Sequence, residues 1–286
     1  MVRGSRPRLN GGQRGTRLVL FAGVWALVIW VLLPHALSQI VYPPAVPFWA
    51  GFDTLNYWAV WRLGIYHGAG QLYGAGDYLY SPAFAQTIWP VTLLPYEIFR
   101  VTWAVPALIT YGWLLQPAPW SLRVPLGILA GFAVLVGNIE WLLGLIVLLA
   151  GRAPWAWALP ALTKVTPVAG ILWYLGRGDR HAFVVAVSAS LAVATASFVL
   201  APDQWIRWIE VLRDQNHLTS GLIGLAPLPI RLAIASVLAL WSGRRSSRLG
   251  LLAVVFLAQP DINYTTLALF CAAPRALDAD RSNRIS

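Results

Sequence analysis

Residues 181–201 read HAFVVAVSASLAVATASFVLA, a run with no Asp, Glu, Lys or Arg. A helix of about 20 such residues spans the hydrocarbon core of a bilayer. Leu18 to Leu37 forms a second run of this kind. Further apolar stretches lie near 82–94, 97–115, 124–137, 139–151, 154–175, 222–242 and 249–273. Of all 286 residues, 58% are hydrophobic and only 11% are charged, and mean hydropathy is +0.63. Soluble domains carry about 25% charged residues, so the composition argues against a soluble enzyme. The abundance of apolar residues excludes disorder. The expected fold is all-α, a single integral membrane domain over 1–286 with about nine or ten transmembrane helices. Several runs are too short for a straight crossing. The stretch 124–151 reads as short hairpins, which are tolerated only where protein buries them or a water-filled cavity receives them.

The net charge is +10, and 20 of the 21 basic residues are arginine. Arg3, Arg6, Arg8, Arg14 and Arg17 precede the first apolar run. Arg177, Arg180, Arg244, Arg245 and Arg248 sit in short connectors. Arginines so placed mark the cytoplasmic side. The basic tail 1–17 is therefore expected inside, the segments 38–80 and 202–221 outside, and 271–286 forms a polar tail. The basic start and Ala36-Leu37-Ser38 resemble a signal peptide with its cleavage site. The apolar stretch is long for that role and more spans follow, so it reads as an uncleaved anchor. The expected location is the plasma membrane, multi-pass, with membrane lipids as neighbours. The arginines do not interleave with a soluble aromatic surface, so no nucleic-acid partner is expected. Cys271 stands alone, which excludes an intrachain disulfide framework and a cysteine-rich metal site.

The outer segment 38–80 is dense in aromatics, among them Trp49, Tyr57, Trp58, Trp61, Tyr66, Tyr78 and Tyr80. Trp and Tyr favour the membrane–water boundary. An interfacial helix from about Asp53 to Tyr66 is expected along the outer leaflet. Asp203 to Asp214 reads as a second outer amphipathic helix. Its Asp203, Arg207, Glu210 and Asp214 share one face, and Ile206, Ile209 and Leu212 another.

Ionisable residues within membrane sequence are functional candidates by default. Asp53, Glu140, Lys164 and Asp261 stand out. Asp53, Asn56 and Tyr57 share a helical face, which suits a carboxylate with hydrogen-bonding neighbours. An N-cap role for Asp53 fits the same residues. Lys164, the only lysine, lies in Leu-Thr-Lys-Val-Thr-Pro, where Thr166 and Pro167 read as N-cap and first residue of a restarting helix. It is either a phosphate ligand at a helix break or a capping lysine or buried ion-pair partner. Asn138 fits the cap of the next helix, with Glu140 at its positive end; a substrate role for the pair stays open beside that. Gln259-Pro260-Asp261-Ile262-Asn263-Tyr264 interrupts the last run, either as cavity-lining backbone or as an ordinary loop. Arg62, Arg207, Arg213 and His217 are outer-side groups that suit an anionic headgroup or act as interfacial anchors. No Walker-type loop, nucleophile elbow or His-Glu-x-x-His pattern is present.

Gly51-Phe52-Asp53-Thr54-Leu55-Asn56-Tyr57-Trp58-Ala59, Gly70-Gln71-Leu72-Tyr73, Tyr78-Leu79-Tyr80-Ser81-Pro82 and the Pro90 to Pro95 stretch resemble the start of the family-87 glycosyltransferases. Gly137-Asn138 resembles that family's Gly-Gln, and Lys164-Val165-Thr166-Pro167 its Lys-x-x-Pro. The resemblance covers roughly 45–180, and the C-terminal third matches poorly. It implies a polytopic enzyme of the GT-C class that uses a polyprenyl-phosphate sugar, usually mannose, on the outer face. Asp53 then matches the family's catalytic base. Lys164, Arg62 and Arg207 are expected to serve the donor phosphate. Asn56, Tyr57, Tyr80, Asn138, Glu140, His217, Asp261 and Asn263 are expected to line the substrate site. The acceptor is a lipid or glycan, and the scheme requires no metal or cofactor. The chain is shorter than is common in that family, which raises a membrane-protein partner or a non-catalytic assembly subunit as an alternative. A transporter or flippase of a lipid-linked sugar is another, since broken helices and buried charges serve transport too. No internal repeat supports it.

Overall fold

The computed structural model describes Trp25, Ile29 and residues 51–67, 78–214, 227–260, 262–263 and 265–282. The expected first span, Leu18 to Leu37, lies almost wholly outside the described residues. Within them every regular element is helical. The first three helices are α1 (Phe52–Leu63), α2 (Pro82–Thr92) and α3 (Tyr96–Leu115). Next come α4 (Trp120–Val136) and α5 (Glu140–Leu149). The run 154–175 is not one helix. A 3-10 turn, Pro154–Trp157, leads into α6 (Ala158–Leu162); after a break, a second, Thr166–Ile171, leads into α7 (Leu172–Gly176). Then follow α8 (Arg180–Leu200), α9 (Pro202–Asp214), α10 (Leu228–Arg244) and α11 (Arg248–Leu257). A last 3-10 segment, Thr266–Ala272, runs into α12 (Ala273–Ser282). The segment expected as a polar tail from 271 thus starts in the core, where Cys271 and Ala272 are buried.

Helices α3 and α8 are long and apolar enough to cross a membrane. Only 28% and 11% of their apolar windows are buried, so side chains such as Val105, Ile109, Leu191 and Phe198 face outward. A helix of this kind suits lipid rather than a soluble core. The apolar helices α4, α5 and α11 are shorter, so the described residues do not supply nine or ten straight crossings. Instead, short pieces are enclosed. Leu143, Ile146 and Val147 of α5 are buried among Leu114, Trp157 and Leu251. This is the condition under which short apolar hairpins persist at membrane depth.

Helix α1 packs against α2 and α3. Its aromatics turn inward instead of lying along a lipid surface. Tyr57 and Tyr78 are buried, and Tyr57 meets Tyr80 at 5.3 Å and Phe84 at 5.5 Å between ring centroids. Trp58 and Trp61 donate to the carbonyls of Leu94 and Ala85 at 2.8 and 3.0 Å. Large rings bury their bodies when each polar tip finds a partner. Helix α9 forms where the amphipathic pattern placed it. Its Trp208 donates to Leu79 O at 3.1 Å and Trp205 to Ser197 Oγ at 3.0 Å, leaving Ile206, Ile209 and Leu212 exposed.

Helices α7 and α10 approach through glycines. A methyl group on Gly243 would meet the Trp173 carbonyl, and one on Gly176 the Leu240 carbonyl. Small residues of this kind let membrane helices approach backbone to backbone. Gly243→Val should therefore cost about 1–3 kcal/mol through overpacking. Gly112→Ala in α3, where nothing lies within 4 Å, should stabilise by up to about 1 kcal/mol. Thermal unfolding in detergent checks both. Equal melting temperatures for Gly243→Val and the parent would refute the close contact.

Candidate functional site

Helix α4 ends on Gly137, whose φ of 88° and return hydrogen bonds from Gly137 and Asn138 N–H to Ala133 O, both 2.9 Å, close it with a left-handed turn. A side chain at Gly137 would also collide with Thr54 of α1. The turn thus delivers Asn138 directly beside α1. Asn138 Nδ2 donates to Asp53 Oδ2 at 2.9 Å and to Thr265 Oγ1 at 2.9 Å. Its Oδ1 accepts from Glu140 N–H at 3.2 Å. The capping expected of Asn138 is present, although Ile139 occupies the cap position itself.

Asp53 is not an N-cap. Gly51 holds that position with φ 81°, and Asp53 lies within the first turn of α1. Its carboxylate is therefore available to Asn138 across the helix boundary. Asn56 and Tyr57 of the same helix are buried, and Tyr57 Oη donates to Tyr80 Oη at 3.0 Å. Tyr66 Oη donates to the Tyr80 carbonyl at 2.9 Å, fixing the backbone there. Ser81, cap of α2, donates its hydroxyl to Leu162 O at the end of α6. Tyr80 is thereby drawn to the break that carries Lys164.

That break is a γ-turn. Thr166 N–H bonds to Lys164 O at 2.6 Å across Val165, which adopts φ 55°, ψ −56°. A β-branched residue with positive φ is strained, at a cost of about 1–3 kcal/mol. Thr166 is the first residue of the following 3-10 helix, not its cap, and its hydroxyl turns back to Lys164 O. The strained turn directs Lys164 Nζ to Glu140 Oε1 at 2.6 Å. Glu140 is fully buried and the Lys164 side chain nearly so. Lys164 also lies within electrostatic reach of Tyr80 and Asp53. Asp53, Tyr80 and Lys164 are the partly exposed members of the cluster, while Asn138 and Glu140 are buried beneath them.

A third support comes from the polar interruption of the last run. Gln259 Nε2 donates to Glu140 Oε2 at 3.3 Å. Asn263 Oδ1 accepts from the Thr265 hydroxyl at 2.7 Å, and Thr265 Oγ1 in turn accepts from Asn138. The loop is clamped by buried Arg231 of α10, which donates to Leu257 O, Gln259 O and Pro260 O at 3.0, 2.7 and 3.1 Å. Asn263 thus acts through Thr265 and Asn138 on Asp53. Gln259, Thr265 and Arg231 were not among the expected site residues. Arg231 carried a usable signal, as the one charged residue within the apolar run 222–242.

Of the expected phosphate ligands, Arg62 is committed elsewhere. Arg62 is in the last turn of α1, about 13 Å along the helix from Asp53. Its guanidinium donates to Trp58 O and Thr92 O and covers the Trp58 ring at 3.8 Å. Arg207 is exposed on α9 beside Trp208. His217 and Asp261 lie outside the described residues. Among the described residues, no group of three or more His, Cys, Asp and Glu side chains is placed to hold a metal ion.

Removing one partner of a buried ion pair strands the other charge and costs about 3–5 kcal/mol. Glu140→Gln should destabilise by that order. The double variant Glu140→Gln/Lys164→Met should lose much less than the sum of its single changes. Denaturant unfolding of the four proteins in detergent gives the coupling. Additive losses would show that the 2.6 Å contact carries none.

No curated protein and no solved structure matches the chain. The model of glycosyltransferase family 87 matches residues 78–286. This span corrects the extent expected from sequence motifs. It takes in the whole C-terminal third, and it begins after the Asp53 segment. It includes Tyr80, Asn138, Glu140, Lys164, Gln259, Asn263 and Thr265. With 209 of the 286 residues matched, the protein belongs to glycosyltransferase family 87.

Proposed function

We propose that this family member transfers a sugar, mannose by resemblance, from a polyprenyl-phosphate donor to a hydroxyl of a lipid or glycan acceptor on the outer face of the plasma membrane. The observation that carries the reading is one carboxylate and one ammonium within electrostatic reach of each other on a single buried network. Asp53 is held by Asn138, and Lys164 is held by Glu140. The acceptor oxygen attacks the anomeric carbon as the bond to the phosphate oxygen breaks. The polyprenyl phosphate leaves with the electron pair, the acceptor proton passes to Asp53, and the sugar configuration inverts. A phosphate leaving group needs little acid assistance, so one base suffices. Lys164 stabilises the negative charge that builds on the departing phosphate. Glu140 holds the ammonium in place for that task. The outward-facing apolar surface of α3 and α8 and the enclosed short helices favour a polytopic arrangement of the GT-C type.

Asp53→Asn keeps the shape of the side chain and removes the base. Transfer from polyprenyl-phosphate mannose in membranes should fall by about 10²–10⁴-fold at unchanged expression, with labelled glycoside as the readout. Turnover at the parent rate would assign the base elsewhere. A transporter would form no glycoside in either protein. Lys164→Ala should lower turnover as well as weaken donor binding, and a folded variant with both unchanged would make the lysine purely structural.

A further inference from the structure

At the start of α8, two arginines approach Gly151 and a third follows it in sequence. A methyl group placed on Gly151 would sit 2.9 Å from Arg248 Nη2 and 3.8 Å from Arg177 Nη1. Arg152 is the next residue, and it and Arg177 both lie within electrostatic reach of Arg248. Arg248 Nε is closed off from solvent and has no hydrogen-bond acceptor among the described residues. Two carboxylates lie near the cluster, and Asp280 is a counter-charge to Arg248. Asp280 accepts from Arg248 N–H at 2.7 Å, Ser247 Oγ at 2.8 Å and Leu249 N–H at 3.2 Å. Asp179 accepts from Ala182 N–H at 3.0 Å, capping α8. No ion pair joins the three arginines to a carboxylate among the described residues. Asp280 lies within electrostatic reach of Arg248, so three guanidinium groups share one such carboxylate among the described residues. The excess of positive charge favours an anion from outside. Guanidinium groups suit phosphate in particular, since their paired N–H donors match its oxygens.

The position narrows the source. Helix α8 is about 30 Å long, close to the thickness of a bilayer core. Its far end is tied to the Tyr80 side of the molecule by Gln86 Nε2 on Ser197 O and by Trp208 on Leu79 O. On the polytopic arrangement proposed above, the arginines sit at the other membrane surface. Exposed Trp155, Leu175 and Leu249 flank them, as befits a headgroup-level site with apolar rims. We propose that Arg152, Arg177 and Arg248 bind the phosphate of an anionic phospholipid in the leaflet opposite the transfer site. This site is independent of the transfer chemistry.

The test uses the full chain in phosphatidylcholine nanodiscs containing a minor fraction of phosphatidylglycerol, with retained lipids counted by native mass spectrometry. Arg177→Gln/Arg248→Gln should lower the preference for phosphatidylglycerol by about tenfold or more. Arg244→Gln/Arg245→Gln removes the same charge from the neighbouring connector and should leave it unchanged. Equal losses in the two variants would overturn the site in favour of diffuse basic attraction. Displacement of phosphatidylglycerol by millimolar inorganic phosphate would overturn the lipid as its occupant. Should the Gln variant fail to fold, Arg177→Lys/Arg248→Lys keeps the charge. Retention several-fold below the parent would then support guanidinium recognition, and parental retention would overturn it.

Discussion

Glu140 is one of 11 acidic residues in the chain and is fully buried. A carboxylate removed from water is costly unless a counter-charge and hydrogen bonds surround it. The fold brings three supports to this one group. The N-terminus of α5 presents its positive end, Lys164 arrives across the γ-turn, and Gln259 closes from the interrupted last run. Each comes from a different part of the sequence, so keeping Glu140 satisfied fixes the relative positions of α5, the α6 break and the 258–265 loop. The strain at Val165 belongs to the same account. The turn costs about 1–3 kcal/mol and is held because it alone sets the ammonium against the carboxylate.

Asn138 does for Asp53 what Glu140 does for Lys164. A single amide satisfies the start of α5, reaches Thr265 and presents an N–H to the carboxylate of α1. A shorter residue would leave one of these groups without its bond. The two reactive groups therefore share a foundation without touching it equally. The supports, Asn138 and Glu140, are buried, and Asp53 keeps partial exposure.

Much of this was legible in the sequence, and the limits have physical causes. Helices α8 and α9 follow from unbroken apolar and amphipathic periodicity. The break at Lys164 follows from a lysine and a proline within one apolar run, because neither continues a lipid-facing helix. An ion-pair role for Lys164 was among the open readings, but Glu140 was not named as its partner, since a pair 24 positions apart has no local periodicity. The N-cap reading of Asp53 failed because Gly51 takes the left-handed position and shifts the helix start by two residues. Arg231 escaped notice although it met the same criterion as Lys164. Its guanidinium serves backbone carbonyls, which no side-chain pattern announces. Arg62 misled for the opposite reason. It looked like a free outer cation and is committed to two carbonyls and a tryptophan face.

The scarcity of charge in the chain gives the two ends of α8 different meanings. On the side of Tyr80, the ammonium is paired inside the protein, so its charge is defined before any substrate arrives. At the other end, three guanidinium groups share one counter-charge, Asp280. Under the two proposals, the same residue chemistry divides into a site for turnover and a site for retention. Helix α8, with 11% of its apolar window buried, runs from the arginine cluster toward the Tyr80 side.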